Sequence, residues 1–207
     1  MPAAPSTSVS GLHHLQPSLL GWHEPALGAG LGGLRREHLA SGAWVDVATS
    51  VVDGAYTLFE EVLAAAPWAG HERPMYDRVV PEPRLTTRRW AGAPALVHDL
   101  GSLLSEHYGV DLSTISANLY RSGSDSVAWH GDRIGRDRPQ AVVAVLSLGA
   151  TRRFLLRPRP GGPSRRYAPA SGDLLVMGGT CQRTWQHSVP KCAVAGPRIS
   201  VMFREGY

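Results

Sequence analysis

The run Pro197-Arg198-Ile199-Ser200-Val201-Met202-Phe203-Arg204 near the end of the chain alternates in character from residue to residue. On an extended strand successive side chains point to opposite faces, so Ile199, Val201 and Phe203 share one face and Arg198 and Arg204 the other. A strand of this kind either lies on a surface with its arginines in water or turns them inward toward an anion. Ser116 to Tyr120, Ala141 to Leu148, Arg153 to Leu156 and Asp173 to Met177 are further short extended runs, separated by Gly and Pro clusters. Such a series predicts an antiparallel sandwich or barrel, with Arg157 to Ser164 a plain turn and loop. Before Gly109 the texture is helical. Leu58, Val62 and Leu63 predict an amphipathic helix over Ala55 to Ala66 that stops before Pro67. Leu96, Leu100, Leu103, Leu104 and Tyr108 predict a second, from Ala95 to Tyr108, with Gly109 as its C-terminal stop. The class is therefore α+β and mainly β, helices first and strands second. Residues 1–20, rich in Pro, Ala and Ser, are expected to form a loosely ordered lead-in.

Composition narrows the function classes. The chain has 207 residues, 43% hydrophobic and 18% charged, which suits a folded core and argues against disorder. Its net charge of +4 permits an anionic partner such as nucleic acid without demanding one. Lys191 is the only lysine, so the basic residues are almost all arginine, the side chain suited to bidentate contact with carboxylate and phosphate. Cys181 and Cys192 have no CxxC spacing and make no disulfide framework. No signal peptide is indicated and no apolar run approaches the roughly 20 residues that span a bilayer, so a cytoplasmic monomer is expected.

In Trp129-His130-Gly131-Asp132 an imidazole and a carboxylate stand two residues apart, on one face of a strand or its end. His187 lies 57 positions beyond His130 (187 − 130). Two histidines and a carboxylate on one face of an octahedral ion leave three positions open, the arrangement of non-haem iron(II) oxygenases. Zinc accepts the same donors, which keeps a hydrolase or a non-catalytic metal-binding barrel among the alternatives. Arginines directed into a barrel favour an oxygenase whose cosubstrate is a dicarboxylic oxo-acid, because guanidinium matches carboxylate fork to fork. Asn118 and Tyr120, also two apart, are placed to hydrogen-bond the same ligand.

In order, Asn118-x-Tyr120, His130-x-Asp132, His187 and Arg198-x5-Arg204 resemble the AlkB family of iron(II)- and 2-oxoglutarate-dependent dioxygenases, the oxidative nucleic-acid dealkylases. Ser147-Leu148-Gly149 and Pro83-Arg84-Leu85-Thr86 resemble it too. The resemblance implies a double-stranded β-helix (jelly-roll) core over residues 111–207. It also implies an N-terminal helical and nucleotide-recognition region over residues 21–110, Fe(II) as metal, and 2-oxoglutarate and O2 as cosubstrates. His130, Asp132 and His187 would hold the iron. Asn118 and Tyr120 would bind 2-oxoglutarate, Arg198 its distal carboxylate, and Arg204 would sit near its chelating end. The implied reaction removes an N-linked methyl group from a nucleobase in DNA or RNA, as in DNA repair, with the base flipped out or taken from a single strand.

Two stretches depart from the family pattern. Arg133-Ile134-Gly135-Arg136-Asp137 has no carboxylate at Ile134, where base-repairing members carry an acid, and Thr87-Arg88-Arg89-Trp90 replaces an aromatic stretch of the lid. Trp90 is a candidate for stacking on a base, and Arg84, Arg88 and Arg133 for phosphate contact. The missing acid favours the alternative of an oxygenase acting on a protein side chain or a small metabolite.

Overall fold

The computed structural model describes residues 23–28, 30–75 and 78–206. The expected lead-in over 1–20 lies outside them. In chain order the strands are β1 (Ala26–Leu27), β2 (Arg35–His38), β3 (Ala43–Ala48), β4 (Val52–Asp53), β5 (Ala69–Met75), β6 (Arg78–Thr87) and β7 (Thr114–Tyr120). There follow β8 (Val127–His130), β9 (Val143–Gly149), β10 (Phe154–Pro158), β11 (Arg165–Tyr167), β12 (Leu174–Gly179), β13 (Trp185–Val189) and β14 (Arg198–Arg204). The helices are α1 (Ala55–Ala65), α2 (Ala95–Tyr108) and two short turns, α3 (Ile134–Asp137) and α4 (Cys181–Thr184).

An eight-stranded sheet in the order β2-β3-β12-β9-β14-β7-β6-β5 and a four-stranded sheet in the order β11-β10-β13-β8 form a jelly-roll. The alternation of β14 holds. Ile199, Val201 and Phe203 enter the core that packs α1 and α2 on the large sheet, while Met202 joins a second cluster on the opposite face. α2 ends where Gly109, at φ 66°, takes the left-handed conformation and returns its N–H to the Ser105 carbonyl. Its buried face differs slightly from the expected one. Val97, Leu100, Gly101 and Leu104 are buried and Leu103 is only half-buried, because the Phe203 ring sits against Gly101, 3.3 Å from where a Cβ would stand.

Three further expectations are revised. Arg157 and Pro158 belong to β10, whose antiparallel pairing with β13, Arg157 opposite Gln186 and Pro158 opposite Trp185, carries the strand into what local composition marks as loop. The first half of the chain is richer in strand than its periodicity suggests. Strands β2 and β3 continue the large sheet through the β3–β12 ladder, with Val47 opposite Leu175, so pairing crosses the expected division at 110/111. Among the described residues no helix is long and apolar enough to cross a membrane.

Candidate metal and oxo-acid site

A pocket of about 380 Å³, counting the space at its mouth, opens between the two sheets. β7 contributes Asn118 and Tyr120, β14 contributes Ser200, Met202 and Arg204, and the small sheet contributes His130, Phe154 and His187; Asp132 follows just beyond β8. The register explains the convergence, since β13 runs antiparallel to β8 with His187 directly opposite His130. Donor atoms of His130, Asp132 and His187 lie within 4.8 Å of one another.

The three side chains are held in complementary ways. The Ala128 carbonyl, which can only accept, lies 2.9 Å from His130 Nδ1, so Nδ1 carries a proton and Nε2 is the ring nitrogen turned toward Asp132. Asp132 Oδ2 accepts from Arg204 Nε at 2.6 Å, while Oδ1 stands 3.8 Å from His130 Nε2 and 3.9 Å from His187 Nε2. One carboxylate oxygen is thus engaged and the other faces both imidazoles. Burial would raise the Asp132 carboxyl, but the Arg204 guanidinium and the two imidazoles outweigh it and hold it at about 2, ionised at any working pH. Burial, reinforced by His130, holds His187 neutral down to about 3. Asp132 and His187 therefore present an anionic oxygen and a neutral nitrogen, the protonation states a divalent cation requires of such ligands, with His130 Nε2 beside them.

Arg198 lies deeper. Its guanidinium is fully buried, with Nη2 donating to Ser147 Oγ at 2.9 Å, and both Nε and Nη1 lack a partner among the described residues. Burial lowers its pKa to about 10, so it stays charged. Buried polar groups are nearly always paired, and a charged one without an anion is rarer still. Its guanidinium carbon lies 5.6 Å from the centre of the Tyr120 ring, a pocket-lining side chain. A carboxylate beside it would supply the absent acceptors, so the donor set at this end fits an oxo-acid with a distal carboxylate, as the metal-facing end fits iron(II).

The substrate candidates fare differently. Ile134 is 1% exposed and packed in the second core cluster, because the α3 turn directs it inward; it does not line the pocket, which corrects its placement there. Trp90, 6% exposed, is part of the main core, which corrects its role as a stacking platform. Arg84 is half-buried and ion-paired with Glu82, whereas Arg88 and Arg133 are exposed.

Sequence reasoning missed Gln182 and Arg152. Gln182 Oε1 accepts the Asp132 backbone N–H at 2.9 Å, tying the candidate ligand to α4. Gly131 belongs to the same clamp, since a Cβ there would stand 2.5 Å from the Gln182 carbonyl oxygen. Buried Arg152 donates to the carbonyls of Ser122, Asp125 and Pro190, bracing the loop after β7 next to Tyr120. Nothing in local sequence marks these residues, because each acts on groups distant in the chain.

Comparison with known proteins adds independent findings. Residues 34–204 match the model of the 2OG-Fe(II) oxygenase superfamily. The chain is 32% identical over 184 residues to alpha-ketoglutarate-dependent dioxygenase alkB homolog 3 of Bos taurus, covering 74% of this chain and 62% of that protein. It is 32% identical over 145 residues to DNA oxidative demethylase ALKBH2 of Arabidopsis thaliana, covering 58% of this chain and 46% of that protein. It thus spans less than two thirds of either relative's length. The solved structure of OsALKBH1 superposes with a TM-score of 0.56 at 13% identity, covering 83% of this chain and 100% of that one. Identity that low speaks for the fold alone.

Proposed function

We infer the chemistry of this protein from its kinship: the chain belongs to the 2OG-Fe(II) oxygenase superfamily and, within it, to the AlkB family. On that premise we propose an iron(II)- and 2-oxoglutarate-dependent dioxygenase that oxidatively demethylates alkylated nucleobases in DNA or RNA. The observation that carries the reading is the combination of Asp132 Oδ1, turned toward both imidazoles, with buried Arg198 beside the pocket-lining Tyr120, two of its donors unpartnered among the described residues.

His130, Asp132 and His187 would hold the metal. Arg198 would take the distal carboxylate of 2-oxoglutarate, with Asn118 and Tyr120 on the cosubstrate wall and Arg204 near its chelating end. When bound, iron supplies the activation of O2 that couples oxidation of 2-oxoglutarate to oxidation of a C–H bond. In the overall balance 2-oxoglutarate and O2 give succinate and carbon dioxide, and the remaining oxygen atom enters the N-methyl C–H bond. The C–N bond then breaks, the base nitrogen takes a proton, and formaldehyde leaves. The chain's own contribution is to orient cosubstrate and target, and to keep water out with Val143, Val145, Phe154, Met177 and Val189. The reading carries with it a monomer working in the cytoplasm.

One observation favours the second reading, a protein side chain or small metabolite as substrate. Among the described pocket-lining residues Asp132 is the only carboxylate, leaving none to meet a cationic methylated base. The test is succinate release from 2-oxoglutarate with and without oligonucleotides carrying 1-methyladenine or 3-methylcytosine, with formaldehyde measured alongside. Stimulation by the methylated strand in step with formaldehyde is expected, with none in His187→Ala. Turnover indifferent to every oligonucleotide would move the assignment to the second reading, and turnover in His187→Ala at the parent rate would remove His187 from the site.

A further inference from the structure

Of the residues singled out by sequence for substrate contact, Trp90 is in the core and Arg84 is ion-paired, but Arg133 belongs to a set of arginine-bearing segments that pack beside the His130–Asp132 stretch. His130 is the exposed member of the donor set, its side chain 39% accessible against 10% for Asp132 and for His187, so the mouth lies on its side. The neighbouring residue, Gly131, is covered by Arg159, whose Nη2 would stand 2.7 Å from a Cβ at that position. Arg159 is fixed there by its backbone N–H, which donates to the Thr184 carbonyl at 2.9 Å, and by Nη2, which donates to the Gln182 carbonyl. Both carbonyls belong to α4, which also carries the exposed Arg183. α3 packs against α4 and adds Arg133 and Arg136, three apart and on one side of its turn. Four exposed arginines thus stand on three separated segments that pack together beside the ligand-bearing loop. Among the described residues, none of them forms an ion pair.

We propose that Arg133, Arg136, Arg159 and Arg183 form the cradle for the phosphodiester backbone of the substrate strand, on the α3–α4 rim rather than on the segment around Arg88. The proposal rests on the nucleic-acid reading above and adds to it the face on which the strand lies. Guanidinium forks suit phosphate oxygens, and such contacts fix the register of a strand without reading its sequence. Arg159 is the anchor, because two hydrogen bonds hold it before any ligand arrives. An acidic protein segment would satisfy the same charges, but the neighbouring opening between the sheets suits a strand that delivers one unit inward while its backbone stays outside.

The test uses the full-length chain and an unmodified, fluorescently labelled single-stranded 15-mer, with anisotropy followed from low to moderate salt. For single strands the salt slope of log affinity is about 0.7 per phosphate neutralised, so Arg159→Gln/Arg183→Gln is expected to lose about 1.4 from the slope and at least tenfold in affinity at low salt. Arg35→Gln/Arg153→Gln removes the same charge from exposed positions elsewhere and is expected to change the slope by much less. Circular dichroism and melting of each variant check the fold, and Arg159→Lys/Arg183→Lys, which keeps the charge, should recover most of the slope. Equal losses in the two Gln pairs would overturn the proposal, leaving net charge as the cause. A parent protein that binds the 15-mer with an unchanged slope in Arg159→Gln/Arg183→Gln would overturn the cradle alone, whereas a parent that binds no oligonucleotide at low salt would overturn the nucleic-acid reading with it. Binding of polyglutamate as tight as that of the 15-mer, with the same dependence on the four arginines, would show a general polyanion surface and also overturn it.

Discussion

Replacing Arg198 separates its role as an anchor from any role in folding. Its guanidinium is wholly buried and, among the described residues, donates to Ser147 Oγ while Nε and Nη1 have no partner. A carboxylate meeting both free donors would gain two charge-assisted hydrogen bonds, each contributing about 1.5–3 kcal/mol. Arg198→Lys keeps a charge but offers a point rather than a fork, so it should lose about one of the two bonds. At about 1.4 kcal/mol per decade, that is roughly a tenfold to hundredfold rise in the Kd of 2-oxoglutarate. Arg198→Met loses both, for a rise of about a hundredfold or more. It also removes a buried charge with unsatisfied donors, an exchange that is often neutral or stabilising. The Met variant is therefore expected to melt no lower than the parent without cosubstrate, yet to lose the rise in Tm that 2-oxoglutarate gives. Anaerobic calorimetric titration of the Mn(II)-loaded protein, with thermal melts alongside, measures both. Parent-like affinity in Arg198→Lys, or a Met variant that melts early yet binds normally, would refute the reasoning and leave Arg198 a structural residue.

Three shorter predictions concern the donor set. Gly131→Ala places a methyl 2.5 Å from the Gln182 carbonyl oxygen and 2.7 Å from Arg159 Nη2, so the loop must shift. A destabilisation of about 1–3 kcal/mol with weaker Co(II) binding is expected, and a fully parent-like variant would show the clamp to be loose. Gln182→Leu deprives the Asp132 N–H of its acceptor and should weaken Co(II) binding about tenfold to a hundredfold, whereas Gln182→Glu keeps an acceptor and should recover much of it; indistinguishable titrations of the two would dismiss the contact. Because burial holds His187 neutral to about 3, below its ordinary 6.5, the unfolded chain takes up a proton first as pH falls. Stability of the metal-free protein should then decline from pH 6.5 toward 3, by up to about 1.4 kcal/mol per pH unit. Urea denaturation at pH 7 and pH 5 should show a smaller difference in His187→Gln, and equal differences would mean that another group carries the effect.

Local period and residue chemistry are legible along the chain before any folding is considered. The alternation in β14 set Ile199, Val201 and Phe203 apart from Arg198 and Arg204, and a helix ending at Gly109 followed from the left-handed conformation that glycine adopts readily. The ordered set of His130, Asp132, His187 and Arg198 pointed to an oxygenase because few chemistries use those donors together. Tertiary structure decided what each face would meet. Helical period put Leu103 on the apolar side of α2, but the position of Phe203 made Val97 and Gly101 the buried line. Trp90 and Ile134 are apolar side chains that sequence left equally suited to a pocket or a core, and the core took both. The clamp on Asp132 spans 50 residues, the bond from Arg204 to Asp132 spans 72, and that from Arg198 to Ser147 spans 51. A period repeats within one element and fixes only which side a residue takes. Which distant element closes over that side depends on strand order and register, so Gln182, Arg159 and Arg183 gained their places beside the site only when β8, β10 and β13 came together.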